Sequence, residues 1–191
     1  MSADGPAPAA APALRVGQGF DVHPFGSDPG RPLVLGGVRF DDEPGLAGHS
    51  DADVVAHAVI DALLGAAGLG DIGQRFPDSD PKLAGADSLM LLRRAVGEVR
   101  AAGWVPLNVD CTVVLERPKL APRRPEMEAR LGEALGAPVS VKASRAEGLG
   151  ALGRREGVAC LAVGLLAGTV AGRPSGPAAD RPAGPAMGGP P

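Results

Sequence analysis

"GHSDADVVAHAVIDALLGAAG", Gly48 to Gly68, is the stretch on which the fold turns. After its polar opening it is almost entirely Ala, Val, Leu and Ile, the composition of a helix buried in a core. Ser50 is the expected N-cap, with Asp53 three residues later completing a capping-box pattern. Gly68 and Gly70 end the helix. Asp53, His57 and Asp61 fall at i, i+4 and i+8, one stripe on one face. Burying such groups is costly unless they are paired or bound to metal. The stripe is therefore either a set of ion pairs on a solvated face or part of a site.

The flanking segments surround that helix with strands. Upstream, Leu14 to Val22 alternates as a strand, and "GQGFDVHPF" carries Asp21 and His23 to its tip before Pro24 ends it. "RPLVLGGVRF", Arg31 to Phe40, reads as a hairpin turning at Gly36-Gly37. Downstream, "LGDIGQRFPDSDPKLAGAD" is a polar, aperiodic loop, long enough to be a functional lid or connector. Ser88 to Ala102 is a second amphipathic helix capped by Asp87 and closed by Gly103. Trp104 to Glu116 is a strand, Pro122 to Leu135 a third helix halted by Gly136, and Val139 to Ala143 a short strand. After a Gly-rich segment, Val158 to Leu166 is an apolar run that periodicity alone leaves as strand or helix. No repeat is visible, and strands and helices mix without strict alternation. That is an α+β pattern, a sheet with helices on one face.

Composition removes several classes of function. The chain has 191 residues, 45% of them hydrophobic, and a net charge of −3, so nothing attracts nucleic acid or an anionic membrane. Without Tyr, and with one Trp and four Phe, it has few platforms on which bases could stack. The apolar stretches are too short to span a bilayer. Cys111 and Cys160 lie in apolar runs with no Cys or His at metal-ligand spacing, as buried reduced thiols, and a reducing cytoplasm fits them. The tails, residues 1–13 and 171–191, are Ala/Pro-rich and Pro/Gly-rich and are expected to be disordered. They leave one domain over residues 14–170.

Three histidines carry the candidate chemistry. Asp21, His23 and His57 make a suitable three-ligand set for catalytic zinc, and Mn²⁺ or Fe²⁺ also accept such ligands. His49, just before the helix, could meet a phosphate together with Ser50, although a surface histidine is the alternative. Gly17-x-Gly19 lacks the third glycine of a dinucleotide loop, and no Walker-type or nucleophile motif occurs. "ERPKLAP" and "KASRAEGLGALGRREG" are basic or polar segments that alone read as solvated turns.

Taken in order, "RVGQGFDVHPF", "LGGVRF", "GHSDADVVAHAVIDALLGAAGLGDIGQRFPDSDP", "GADS", "NVDCTVVLERPKLAP" and "GRREG" resemble the 2-C-methyl-D-erythritol 2,4-cyclodiphosphate synthase family. The resemblance implies a mixed sheet with helices packed on one face (a ferredoxin-like sandwich), in a cytoplasmic homotrimer with active sites between adjacent subunits. It implies a substrate with a cytidine diphosphate arm, whose 2-phosphate attacks the β-phosphate and expels CMP. It assigns a divalent metal, usually Zn²⁺, to Asp21, His23 and His57, with Val22 beside them at the substrate. His49 is similar to the histidine that stabilises the transition state, and Ser50 lies next to it. Asp71, Ile72, Gly73 and the run Phe76, Pro77, Asp78, Ser79, Asp80 resemble the substrate-binding loop. Leu115, Pro118, Lys119, Leu120 and Ala121 resemble the cytidine pocket. Glu147 matches a ligand of a second ion, Mg²⁺ or Mn²⁺, and Arg154 belongs to the same substrate surface.

The family usually reads Lys-Ala-Thr-Thr-Thr-Glu where this chain has Lys142-Ala143-Ser144-Arg145-Ala146-Glu147. Arg145 thus stands where a threonine polarises the β-phosphate, and a guanidinium there implies a charged phosphate contact in a catalytic role. Ala52 and Arg155 each stand where the family usually has Gly, and Ala151 where it usually has Phe. Two other readings are a related metal-assisted phosphodiesterase with altered substrate choice and a non-catalytic trimeric binding module.

Overall fold

The structure, a computed structural model, describes residues 13–168, so the expectations for the tails and the domain boundary at 170 lie outside it. Four strands form a mixed sheet in the order β1-β6-β4-β5: β1 (Leu14–Pro24), β4 (Trp104–Val114), β5 (Val139–Ser144) and β6 (Gly157–Gly168). β6 runs antiparallel to both β1 and β4, and β4 runs parallel to β5. The run that periodicity left open, Val158 to Leu166, is a central strand. A hairpin of β2 (Pro32–Leu35) and β3 (Val38–Pro44) stands apart, turning at Gly36 and Gly37, both at positive φ as a two-residue turn requires.

Helix α1 (Val54–Ala67) is the centre of the core. It packs on β1 and β6 with α3 (Ser88–Ala101) on its other side, and α4 (Arg124–Leu135) covers α3 and β5. Every residue of α1 except Asp61 and Gly65 is buried, as its composition demands. The approach to β1 is unusually close. A Cβ on Gly17 would stand 2.0 Å from the Ala62 carbonyl oxygen, and one on Gly19 would stand 1.9 Å from that of Ala58. Two bare strand positions facing a row of alanines let backbone meet backbone. That is the role of Gly17-x-Gly19, and no sequence motif announces it.

The start of α1 differs from expectation. Asp53, not Ser50, is the N-cap, its carboxylate accepting from the Val55 and Ala56 N–H groups. The same carboxylate accepts from Gly36 and Gly37 at 2.8 and 2.6 Å, pinning the hairpin turn to the helix. Burial and the charge of Asp51 push the Asp53 carboxyl up to about 6, against the pull of these N–H donors, so it remains ionised at neutral pH. Ala52 sits at φ 57, which stops the helix from extending back toward Ser50.

The other differences are smaller. β1 runs on to Pro24, β4 stops at Val114, and α4 begins at Arg124 after a turn. The long loop contains a one-turn helix α2 (Ile72–Arg75) capped by Asp71, and a 3₁₀ turn Pro81–Leu83 capped by Asp80. The Gly-rich segment contains α5 (Gly150–Gly153). Cys111 and Cys160 are buried free thiols, as expected. No helix among the described residues is long and apolar enough to cross a membrane.

Candidate metal centre and adjoining cavities

The close packing of α1 on β1 places His57 opposite the strand tip. Asp21 Oδ2 lies 3.0 Å from both His23 Nε2 and His57 Nδ1, and those two nitrogens are 3.3 Å apart. Among the described residues this is the one group of His, Cys, Asp and Glu side chains close enough to share an ion. The donor set fits a divalent metal. Ligand atoms at about 2.0–2.1 Å from a tetrahedral zinc stand about 3.3 Å apart, close to the separations here. The alternative for His57, an ion pair with Asp53 or Asp61 along the helix, does not form. Asp53 faces the hairpin, and Asp61 Oδ1 accepts from the Ile72 N–H at 2.7 Å.

The electrostatics agree with a cation site. Burial alone would raise the Asp21 carboxyl, but hydrogen bonds from His23 and His57 outweigh it and hold the group well below the usual carboxylate range. His23 is raised in turn, chiefly by its hydrogen bond to Asp21. Behind the ligands lie further contacts. His23 Nδ1 lies 2.8 Å from the Ala47 carbonyl oxygen. His57 Nε2 lies 2.9 Å from Ser88 Oγ and 3.1 Å from Ser50 Oγ.

The triad opens into a cavity of about 230 Å³ that also exposes His49, Ser50, Ile72, Gly73, Phe76 and Asp78. His49 Nε2 lies 3.1 Å from the Asp80 carbonyl oxygen, tying the loop over the cavity. Several residues expected at this surface are not on the wall. Val22 is 49% exposed, because strand alternation turns its side chain to the opposite sheet face. The Asp71 and Asp80 carboxylates cap their own short helices, and Pro77 and Ser79 are exposed outside the cavity.

A second cavity, of about 640 Å³, lies at the same end of the sheet beyond β4 and β5. It is lined by Leu115, Pro118, Lys119, Leu120, Ala121, Ser144 and Arg145, together with Glu43, Glu116, Arg117 and Ala143. Arg145 is already engaged there, its Nε and Nη2 donating to Glu116 Oε2 at 2.8 and 2.7 Å. That pairing holds the Glu116 carboxyl below its usual range. Ala146, Glu147 and Arg154 line neither cavity. Arg154 pairs with Glu156, and Glu147 sits exposed at φ 53, apart from the triad. Sequence reasoning missed Ala47, Asp51, Ser88, Glu43 and Glu116. Ser88 is visible in the sequence only as the first residue of a helix and Asp51 only as part of the polar stretch before α1, and no spacing links either to His57.

Comparison with known proteins agrees with this geometry. The model of the YgbB family matches residues 14–167. The chain is 57% identical over 157 residues to 2-C-methyl-D-erythritol 2,4-cyclodiphosphate synthase of Bordetella avium, covering 81% of this chain and 96% of that relative. Its fold superposes on the bifunctional IspDF of Campylobacter jejuni with a TM-score of 0.78 at 42% identity. That match covers 83% of this chain but only 43% of the bifunctional one. It also superposes on a CDP complex of IspF from Plasmodium falciparum, with a TM-score of 0.71 at 30% identity, covering 84% and 99% of the two chains.

Proposed function

The chain belongs to the YgbB family, and from that premise we propose that it is a metal-dependent lyase of non-mevalonate isoprenoid precursor synthesis. It cyclises 4-diphosphocytidyl-2-C-methyl-D-erythritol 2-phosphate to 2-C-methyl-D-erythritol 2,4-cyclodiphosphate and releases CMP. The observation that carries this reading is the convergence of Asp21, His23 and His57 at the mouth of a cavity that also presents His49 and Ser50. An oxygen of the 2-phosphate forms a bond to the β-phosphorus, and the bond from that phosphorus to the bridging oxygen breaks, leaving on CMP. Such a transfer needs alignment and charge neutralisation more than a strong base. A divalent ion held by Asp21, His23 and His57 would supply Lewis-acid neutralisation of phosphate charge. His49, with Ser50 beside it, would donate to the phosphate in flight.

The 640 Å³ cavity suits the cytidine end, with Lys119 for the phosphate side and the walls of Leu115, Leu120 and Ala121 for the base. Within one chain the two cavities are separate. That separation favours a site assembled between copies. A homotrimer is further supported by the bare face of the sheet, where Val16, Phe20, Val22, Leu161 and Val163 are exposed together. We read zinc as the ion of the triad, Glu147 as a ligand of a Mg²⁺ or Mn²⁺ that arrives with the diphosphate, and the cytoplasm as the location.

The Arg145–Glu116 pair favours a second reading, a phosphodiesterase that opens the diphosphate without closing the ring. Following products from the cytidylyl substrate, with and without chelator, separates the two. CMP with cyclic diphosphate, lost on chelation, is the expected result. CMP with an uncyclised phosphate would establish the second reading, and no turnover by metal-loaded protein would leave a binding module.

A further inference from the structure

Behind His57 lies a buried chain of hydrogen bonds whose direction is determined at its far end. We propose that Asp51 and Ser88 are positioning residues for the metal centre: Asp51 orients the Ser88 hydroxyl, and that hydroxyl keeps a proton on His57 Nε2 so that the Nδ1 lone pair faces Asp21 and His23. The proposal rests on the reading of these three residues as ligands.

The donor count forces the direction. A carboxylate only accepts. Asp51 Oδ2 accepts from the Ser88 backbone N–H at 3.1 Å, and Oδ1 accepts from the Ser88 hydroxyl and from the Asp53 N–H. The Ser88 proton is therefore committed to Asp51, and toward His57 Nε2, 2.9 Å away, Ser88 Oγ can act only as an acceptor. Ser88 is fully buried, so no water competes for that oxygen. Ser50 Oγ lies 3.1 Å from the same nitrogen and 3.3 Å from Ser88 Oγ; with the Ser88 proton committed to Asp51, Ser50 is the donor of that hydroxyl pair, so toward the imidazole it too is an acceptor. His57 must then carry hydrogen at Nε2, so Nδ1, which faces Asp21, is the nitrogen free to yield its proton to an ion.

His23 reaches the same state by a simpler device. Its Nδ1 lies 2.8 Å from the Ala47 carbonyl oxygen, which also only accepts, so Nε2 is the inward atom. The two rings thus present opposite nitrogens, each fixed by what stands behind it. Groups that hold a ligand imidazole in this way typically change metal affinity by about 10–100-fold when removed.

The test uses Asp51→Asn and Ser88→Ala. An amide at position 51 can satisfy only one of the two Ser88 donors, and Ser88→Ala removes the acceptor outright. Zinc affinity is read by competition with a chelator, and ¹⁵N shifts of the His57 ring are read in metal-free protein above the titration of its histidines. We expect zinc affinity to fall about 10–100-fold in both variants, with loss of the Nε2–H signature in at least Asp51→Asn and metal-free folding retained by circular dichroism. Wild-type affinity in both variants would overturn the proposal. So would weakened affinity with His57 still protonated at Nε2 in both, which would mark a packing role only. If the ring signature changes but wild-type protein holds no metal, the relay stands and the ligand reading fails.

Discussion

Single residues set both the strength of the centre and the local strain around it. His23 is raised above its ordinary 6.5 by Asp21, so in metal-free protein their pairing stabilises the fold fully below about that value and is lost as pH rises through the raised one. The depressed Asp21 contributes above 3.8 and is lost only as pH falls through its lowered value. A metal ion displaces the His23 proton, so the thermal shift produced by zinc should grow from pH 6 to pH 8. Differential scanning fluorimetry at fixed free zinc checks this, and a larger shift at pH 6 would contradict it. Arg155 sits at φ 63, the left-handed region that glycine adopts without strain. Arg155→Gly should therefore stabilise the protein by up to about 1 kcal/mol in urea unfolding, the relief of left-handed strain less the added chain entropy.

At the scale of elements, the contact between β1 and α1 joins fold to site. Gly17 and Gly19 admit the helix to backbone contact, and the same approach sets His57 against Asp21. Gly19→Ala should cost at least about 3 kcal/mol, because its Cβ would meet a helix carbonyl rather than a flexible side chain. The same substitution should weaken zinc binding in any folded fraction, with urea unfolding and chelator competition as the measurements. A variant with wild-type stability and affinity would show that the contact is not what places His57. Asp53 couples the next pair of elements, since one carboxylate caps α1 and closes the hairpin turn together.

For the whole molecule, the deciding feature is a sheet that, among the described residues, is covered on one face only. Phe20 pairs with Leu161 across β1 and β6, and both side chains are exposed with Val16, Val22 and Val163 around them. Phe20→Asp should leave the helix-covered core intact and, if the proposed homotrimer forms through this face, convert it to monomers, read by sedimentation velocity. On the proposed intersubunit site it should also abolish CMP release, because that site would lose one wall. A monomeric variant with full activity would refute the intersubunit site.

The elements were legible in the sequence because each is a local pattern. The buried helix, the Gly36-Gly37 turn, the Asp87 cap and the pairing of Asp21 with His23 across one residue all follow from short-range geometry. The sequence by itself therefore determined the α+β class, the triad of Asp21, His23 and His57 that could hold a metal and, through an ordered series of motifs, the family. Tertiary structure alone decided that Asp53 rather than Ser50 caps α1, because its other partners lie sixteen and seventeen residues away on a hairpin. It alone gave Gly17 and Gly19 their role, joined Asp51 and Ser88 to His57, and drew Arg145 onto Glu116. These contacts depend on which backbone can approach which and on where each donor finds an acceptor, and both are set only when distant segments pack.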